Sequence, residues 1–191
     1  EMINETTEEA FNLLENLLRW TRNQNGKTKI YATLFNLTPV ARQVVSLFSA
    51  IANAKEIELI NRIEGKFDIF ADEDMIKTVL RNLISNAIKF TYTGGQVELS
   101  LADSGDYWTI YVKDNGKGIP KDLQAHLLKS DEYITTYGTH NEKGSGLGLI
   151  LCRDFIRMNK GKLHFYSQEG IGTTFYFTIP KASSSAEAVS R

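Results

Sequence analysis

Hydrophobic and polar residues change their spacing several times along the chain, and these changes divide it into helices and strands. Apolar residues recur at helical intervals in residues 40–54, 72–90 and 146–159. They alternate with polar residues, as strands require, over residues 29–35, 56–63, 66–71, 96–103, 107–114, 162–168 and 173–180. This mixture predicts a globular domain of helices and strands that begins near Lys29.

Local signals place some of the element ends. Thr38 followed by Pro39 predicts the start of the first helix, because a hydroxyl caps free backbone N–H groups and proline suits the first helical position. Asp72 is the predicted N-cap of the long second helix. The strands 96–103 and 107–114 are expected to pair as a hairpin, since only three residues separate them.

Residues 1–25 form a further helical pattern that is apolar on more than one face, with Leu13, Leu17 and Trp20 on its main stripe. Such a helix usually belongs to a bundle or a dimer. Packing against the following domain remains the alternative. At the other end, the serine-rich residues 182–191 have the composition of a linker.

Composition excludes several classes of function. The chain has 191 residues, with 22 basic and 23 acidic side chains and a net charge of -1, so no overall charge attracts nucleic acid. Cys152 is the single cysteine, which excludes an internal disulfide and a cysteine metal cluster. No apolar run reaches the roughly 18 residues of a membrane helix. We therefore expect no nucleic-acid partner and no membrane contact from these residues.

The sequence DNGKGIP, residues 114–120, follows directly on a predicted strand. Asn-Gly after a strand is a strong hairpin signal, so a simple turn is one interpretation. The other is a ligand site, in which Gly116 and Gly118 allow close backbone approach to a flat molecule that Asp114 holds by its edge. The stretch by itself does not decide between them.

The long helix carries a polar stripe beside its apolar one. Asn82, Asn86 and Lys89 share one face. The apolar residues Ile76, Leu80, Leu83 and Ala87 share the neighbouring face. Exposed amides are common, so a plain surface face is one interpretation. The functional one is that an amide oxygen ligates Mg²⁺ and the ammonium meets the phosphates that the ion bridges.

A second glycine cluster, GSGLGLIL from Gly144, opens the helix of residues 146–159. Free N–H groups at a helix start favour an anion such as phosphate. A dinucleotide-binding fingerprint is a weak interpretation, because that motif follows a buried strand and this cluster follows polar residues. The P-loop pattern is absent, so a third kind of nucleotide pocket is indicated.

Taken in order, RNLISNAIKF, DNGKGIP, GSGLGLIL and EGIGTTFYF resemble the N box and the glycine boxes of the ATP-binding catalytic domain of bacterial sensor histidine kinases. That family lies within the superfamily of gyrase, chaperone, histidine kinase and MutL ATPases. The resemblance covers residues 30–180, and LLENLLRWTRNQNGK resembles the second helix of the family's dimerisation domain. It implies part of that helix in residues 1–28, the catalytic domain in 29–181 and a linker-like tail in 182–191.

The resemblance implies an α+β fold, a two-layer α/β sandwich with a mixed, mostly antiparallel sheet and helices on one face, preceded by a partial bundle helix. It also implies that Asp114 accepts a hydrogen bond from the adenine amino group of ATP, while Asn86 holds Mg²⁺. Asn82 and Lys89 are the implied catalytic residues and face the phosphates. The remaining implied nucleotide-binding residues are Gly116, Gly118, Ile119, Lys143, Gly144, Gly146, Leu147, Gly148 and Thr173 or its neighbour Thr174. The polar stretch 121–143, with a short helix at 121–129, corresponds to the lid over ATP.

Asn82 stands where the superfamily's ATPases carry the glutamate that activates water. An amide cannot take a proton, so the resemblance favours a kinase over an ATPase. We expect transfer of the γ-phosphoryl to a histidine outside these residues and then to a response-regulator receiver domain, from a cytoplasmic homodimer. His126, His140 and His164 match no phosphoacceptor motif. The alternatives are a superfamily ATPase and a degenerate nucleotide-binding module that regulates a partner.

Overall fold

The computed structural model describes residues 29–127, 138–140 and 147–182. The predicted helix of residues 1–25 and the tail from residue 183 onward lie outside these ranges. The described elements, in chain order, are β1 (Thr33–Asn36), α1 (Leu37–Ala54), β2 (Glu58–Asn61), β3 (Asp68–Ala71), α2 (Glu73–Phe90), β4 (Gln96–Ser104), β5 (Tyr107–Asp114), α3 (Lys121–Gln124), α4 (Leu147–Met158), β6 (Leu163–Gln168) and β7 (Gly172–Pro180).

Five of the strands form one mixed sheet in the order β2-β4-β5-β7-β6. β2 and β4 run parallel, and the other three neighbouring pairs are antiparallel. β1 and β3 form a separate antiparallel ribbon, which a single bridge between Ile69 and Lys181 links to the end of β7. The predicted hairpin of β4 and β5 is confirmed, since Leu99 lies opposite Val112 and Leu101 opposite Ile110.

The helices cover one face of this sheet. On α2, Ile76, Leu80 and Leu83 are fully buried, and α2 contacts β5 as well as α1 and α4. The other face carries a row of rings instead. The Tyr176 ring stacks on those of Tyr111 and His164, with ring centres 5.6 Å and 5.4 Å apart. The two-layer sandwich with a mostly antiparallel sheet and helices on one face is therefore confirmed. None of the helices in the described part of the chain is long and apolar enough to cross a membrane.

The first helix starts earlier than predicted. The N-cap is Asn36 rather than Thr38, and Asn36 Oδ1 accepts hydrogen bonds from Thr38 N at 3.1 Å and from Phe67 N at 3.1 Å. The Thr38 hydroxyl instead donates to the carbonyl of Gly65 at 2.8 Å. The prediction of Thr38 was wrong because a partner about 30 residues away in the chain, Phe67, makes Asn36 the better-satisfied cap.

The predicted start of α2 is confirmed, and its cap has a wider role than a helix start alone requires. Asp72 Oδ1 accepts from Met75 N at 3.1 Å, which satisfies a free N–H of the first turn. Asp72 Oδ2 accepts from Tyr31 N at 2.9 Å, and Asp72 N donates to Asn159 Oδ1 at 2.7 Å. One buried residue thus connects the segment before β1, the start of α2 and the end of α4.

We expect Asp72→Ala to destabilise the domain by about 1–2 kcal/mol, because it removes a helix cap and leaves the Tyr31 N–H without its acceptor. Asp74→Ala is the matched control, since Asp74 is an exposed acidic residue in the first turn of the same helix. Urea unfolding followed by circular dichroism measures both. Equal effects of the two substitutions would contradict the role assigned to Asp72.

Candidate functional site

A cavity of about 400 Å³ opens beside the C-terminal half of α2 and the adjoining ends of β5 and β7. This volume falls in the usual range for a small-molecule site. Five of the candidate site residues line it, although they come from three separate motifs: Asn86, Asp114, Gly118, Ile119 and Thr173. The fold therefore brings the N box, the DNGKGIP stretch and the last glycine box to one place.

Asp114 ends β5 and is 7% exposed. Its Oδ1 atom accepts hydrogen bonds from Gly116 N at 2.9 Å and from Thr173 N at 3.1 Å. Within the described residues both of its hydrogen bonds end on Oδ1, so Oδ2 remains able to accept a hydrogen bond from a ligand. The backbone thus fixes the carboxylate of this cavity-lining residue through one oxygen.

Burial raises the pKa of Asp114 to about 6, while the hydrogen bonds from Gly116 and Thr173 act in the opposite direction. Desolvation dominates because the buried carboxylate loses the hydration that stabilises its charge. Near neutral pH the group is ionised but incompletely stabilised. A ligand N–H group donated to Oδ2 would supply the missing stabilisation.

The glycines of DNGKGIP pack backbone against backbone. A Cβ atom on Gly116 would lie 2.1 Å from the Phe90 carbonyl oxygen, and one on Gly118 would lie 2.1 Å from the Gln168 carbonyl oxygen. Gly118 also has a φ of +67°, which side chains disfavour. The simple hairpin interpretation of this stretch is wrong, because β5 pairs with β4 and β7 and the stretch leads into α3.

Of the two asparagines on the polar face of α2, one lines the cavity and the other does not. Asn86 lines the cavity. Asn82, one turn earlier, donates from Nδ2 to the Thr78 carbonyl at 2.8 Å, and its Oδ1 would be 2.7 Å from a Cβ on Gly148. Asn82 is therefore held between its own helix and the start of α4.

Two ammonium groups lie beside one aromatic ring of the cavity wall. Lys89 Nζ is 5.4 Å and Lys117 Nζ is 5.0 Å from the centre of the Phe90 ring. Phe90 and Lys117 both line the cavity. Cations at this distance interact with the ring face. Glu169 also lines the cavity, so charged side chains of both signs lie in or beside its wall.

Other predicted residues lie nearby or outside the described ranges. Leu147 and Gly148 begin α4 but are not part of the cavity wall. Thr174 points to the opposite sheet face from Thr173, because side chains alternate along a strand. Lys143, Gly144 and Gly146 lie in the undescribed residues 141–146.

Sequence reasoning missed the apolar walls. They are formed by Phe90, Leu123, Leu127, Leu149 and Phe175, among others. Phe90, Leu149 and Phe175 follow core-like patterns in their own helices or strand, and Leu123 and Leu127 stand in a polar stretch, so the sequence does not show that these residues face a cavity. Of these residues, Phe90 was the one that the sequence could best have indicated, since it directly follows the polar stripe that ends at Lys89.

The model of the family described as "Histidine kinase-, DNA gyrase B-, and HSP90-like ATPase" matches residues 71–183. Adaptive-response sensory kinase SasA of Crocosphaera subtropica is 30% identical over 170 residues, covering 88% of this chain and 44% of the relative. The solved catalytic domain of histidine kinase ThkA superposes with a TM-score of 0.67 at 31% identity, covering 78% of this chain and 95% of that domain. A structure of ThkA in complex with response regulator TrrA gives a TM-score of 0.71 at 26% identity, covering 95% of this chain and 51% of that one.

The chain therefore belongs to the histidine kinase-, DNA gyrase B- and HSP90-like ATPase family. Within it, the relative given above is a sensory kinase and the solved structures given above are of a histidine kinase, which confirms the prediction of an ATP-binding histidine kinase catalytic domain. The chain spans less than half the length of the curated relative given above.

The raised pKa of Asp114 gives a pH dependence of stability that can be measured without ligand. A carboxyl whose pKa of about 6 in the folded state exceeds its ordinary value of 3.8 favours folding in its protonated form. Its contribution is complete below pH 4 and is lost as the pH rises through 6. Asp114→Asn cannot ionise, yet its amide oxygen can still accept from both N–H groups.

We expect the free energy of unfolding of the parent to fall relative to Asp114→Asn, by on the order of 2 kcal/mol, between pH 4 and pH 7. Urea unfolding at a series of pH values measures this difference. A difference that stays constant across the series would show that burial does not raise the pKa of Asp114.

Proposed function

We propose that this domain binds Mg-ATP in the cavity and donates the γ-phosphoryl group to a histidine outside these residues, from which a response-regulator aspartate receives it. The observation that carries the proposal is the buried Asp114, which lines the cavity and whose Oδ1 atom the backbone N–H groups of Gly116 and Thr173 hold. Adenine offers an amino group at its edge that can donate to the Oδ2 atom of Asp114. The apolar walls, including Ile119 and Phe175, suit the faces of the base.

At the other end of the ligand, the proposal places the phosphates near Lys89 and Lys117. Both ammonium groups lie beside Phe90, and they would neutralise phosphate charge. In the proposed role, Asn86 provides an amide oxygen for Mg²⁺, which is a suitable ligand for a hard cation. The ion, when bound, would neutralise charge on the transferred phosphoryl group.

Phosphoryl transfer from this site needs little covalent chemistry from the protein. A neutral imidazole nitrogen would form a bond to the γ-phosphorus while the bond to the β–γ bridging oxygen breaks, and ADP leaves. Positioning and charge neutralisation carry most of such a reaction. The proposed role of Asn82 is to contribute to this arrangement without acting as a base, because its Nδ2 donates to the Thr78 carbonyl and an amide cannot accept the proton of water.

The acceptor is proposed to be a histidine on another segment or subunit. His126, His140 and His164 are all exposed, and none of them is part of the cavity wall that the described residues form. The receiver-domain partner is proposed by analogy with ThkA, whose structure holds a response regulator. A cytoplasmic homodimer is part of the same proposal and rests on the family alone.

Calorimetric titration of a non-hydrolysable ATP analogue with Mg²⁺ tests the adenine site. We expect Asp114→Asn to weaken binding at least about tenfold. In this variant the amide oxygen accepts from Gly116 and Thr173, so the amide N–H₂ group faces the adenine amino group and two donors meet.

Asp122→Asn is the matched control, because it removes one negative charge from an exposed position at the start of α3. It should bind like the parent. Absence of binding by the folded parent would refute the ATP site, mark the glycine boxes as relics and favour a module that only regulates a partner. Rapid ATP hydrolysis by the parent would favour the ATPase alternative.

The proposed metal role of Asn86 is tested by comparing nucleotide affinity in Mg²⁺ and in EDTA. The parent should lose affinity in EDTA, whereas Asn86→Ala should bind weakly in both conditions with little difference between them. Asn86→Asp keeps an oxygen ligand and should retain a dependence on Mg²⁺. If Asn86→Ala responds to Mg²⁺ as strongly as the parent does, Asn86 is not the ligand.

A further inference from the structure

Two side chains outside the four motifs fasten the backbone around the cavity. They are Gln124, on α3, and Thr139, in the short described segment 138–140. We propose that Gln124 and Thr139 are positioning residues that hold two walls of the nucleotide site and thereby slow nucleotide release. This inference rests on the nucleotide-binding function proposed above.

Gln124 ties the end of DNGKGIP to the sheet. Its Nε2 donates to the Ile119 carbonyl at 2.6 Å and to the Ser167 carbonyl at 3.2 Å. Ile119 N in turn donates to Ser167 Oγ at 2.9 Å. Both polar groups of the Ile119 backbone are therefore bound, one of them by Gln124.

The residues beside Gln124 show what this contact positions. Ile119, Leu123 and Leu127 all line the cavity, and Gln124 lies between them in the chain. α3 has only four residues and its N-cap Pro120 makes no side-chain cap hydrogen bond. A helix this short has little stability of its own, so side-chain contacts such as that of Gln124 must hold the wall.

Thr139 binds the other wall, at the C-terminal end of α2. Its backbone N donates to the Lys89 carbonyl at 3.1 Å. Its Oγ1 donates to the Thr91 carbonyl at 2.9 Å and also lies within hydrogen-bond distance of the Lys89 carbonyl, at 3.1 Å. Carbonyls in the last turn of a helix have no partner within the helix and need one from elsewhere. Lys55, 8% exposed, supports the same turn, since its Nζ donates to the carbonyls of Ile88 and Lys89 at 3.0 Å each.

The end of α2 carries several groups of the proposed ligand site. Phe90 and Tyr92 line the cavity, and Lys89 Nζ lies over the Phe90 ring. The Phe90 carbonyl accepts from Lys117 N at 3.0 Å, so the position of this turn also sets the position of DNGKGIP. Loss of the Thr139 hydroxyl would loosen this turn while leaving every proposed ligand-contacting side chain in the protein.

The test measures release of a fluorescent, non-hydrolysable ATP analogue with Mg²⁺ from the full chain. Thr139→Val keeps the shape of the side chain and removes its donor, and Gln124→Met does the same for the amide. We expect each to raise the dissociation rate about three- to tenfold, the effect of one or two lost hydrogen bonds. Thr139→Ser keeps the hydroxyl and should restore the parent's rate.

Thr93→Val is the matched control. The Thr93 hydroxyl is exposed and contacts His140 Nε2 at 3.3 Å, so it adjoins the same segment without binding the helix carbonyls. It should release nucleotide as the parent does. A rise equal to that of Thr139→Val would overturn the assignment, as would a parental rate in Thr139→Val or Gln124→Met.

These outcomes separate the present inference from the proposed function. If Thr139→Val and Gln124→Met release nucleotide at the parent's rate while Asp114→Asn still weakens binding, the positioning roles of Thr139 and Gln124 are refuted and the ATP site stands. If the folded parent binds no nucleotide, the proposed function is refuted, and the positioning roles of Gln124 and Thr139 are refuted with it.

Discussion

The site depends on keeping one carboxylate buried at the end of a strand. Asp114 can stay there because the backbone N–H groups of Gly116 and Thr173 meet its Oδ1 atom. That geometry requires β5 and β7 to lie in register, with Asp114 opposite Thr173. It also requires close backbone contact: a Cβ atom on Gly172 would lie 2.1 Å from the Asp114 carbonyl oxygen. An unpaired carboxylate removed from water would be costly. The glycines around Asp114 are thus needed to bring the backbone close enough to hold this buried charge.

Helix α2 then relates this carboxylate to the rest of the site. Its apolar face lies in the core through residues such as Leu80 and Leu83, so its rotation is set by packing. The polar face beside it is half-buried and carries Asn86 to the cavity. Both ends of the helix are tied to distant parts of the chain, the start through the bonds of its cap Asp72 to Tyr31 and Asn159 and the end through Lys55. Because the helix cannot shift or rotate easily, its polar residues keep a defined distance from Asp114.

The chemistry available to the domain follows from which polar groups occupy these positions. Amides and ammonium groups occupy the polar face of α2, where a carboxylate able to activate water would favour hydrolysis. This is the arrangement that the proposed kinase role requires, since an amide cannot accept the proton of an attacking water. Membership of the histidine kinase-, DNA gyrase B- and HSP90-like ATPase family supports an ATP-binding domain.

The sequence by itself determined the order of the main elements, the two stripes of α2, the cap at Asp72 and the motifs that resemble the kinase family. These features depend on local spacing, because the period of a helix or a strand fixes which neighbouring residues share a face. Only the tertiary structure decided that Asn36 rather than Thr38 caps α1, since its second donor, Phe67 N, is distant in the chain. It also decided which apolar residues leave the core to line the cavity, and how far the pKa of Asp114 rises. These properties depend on burial and on contacts between distant segments, and local spacing carries no record of either.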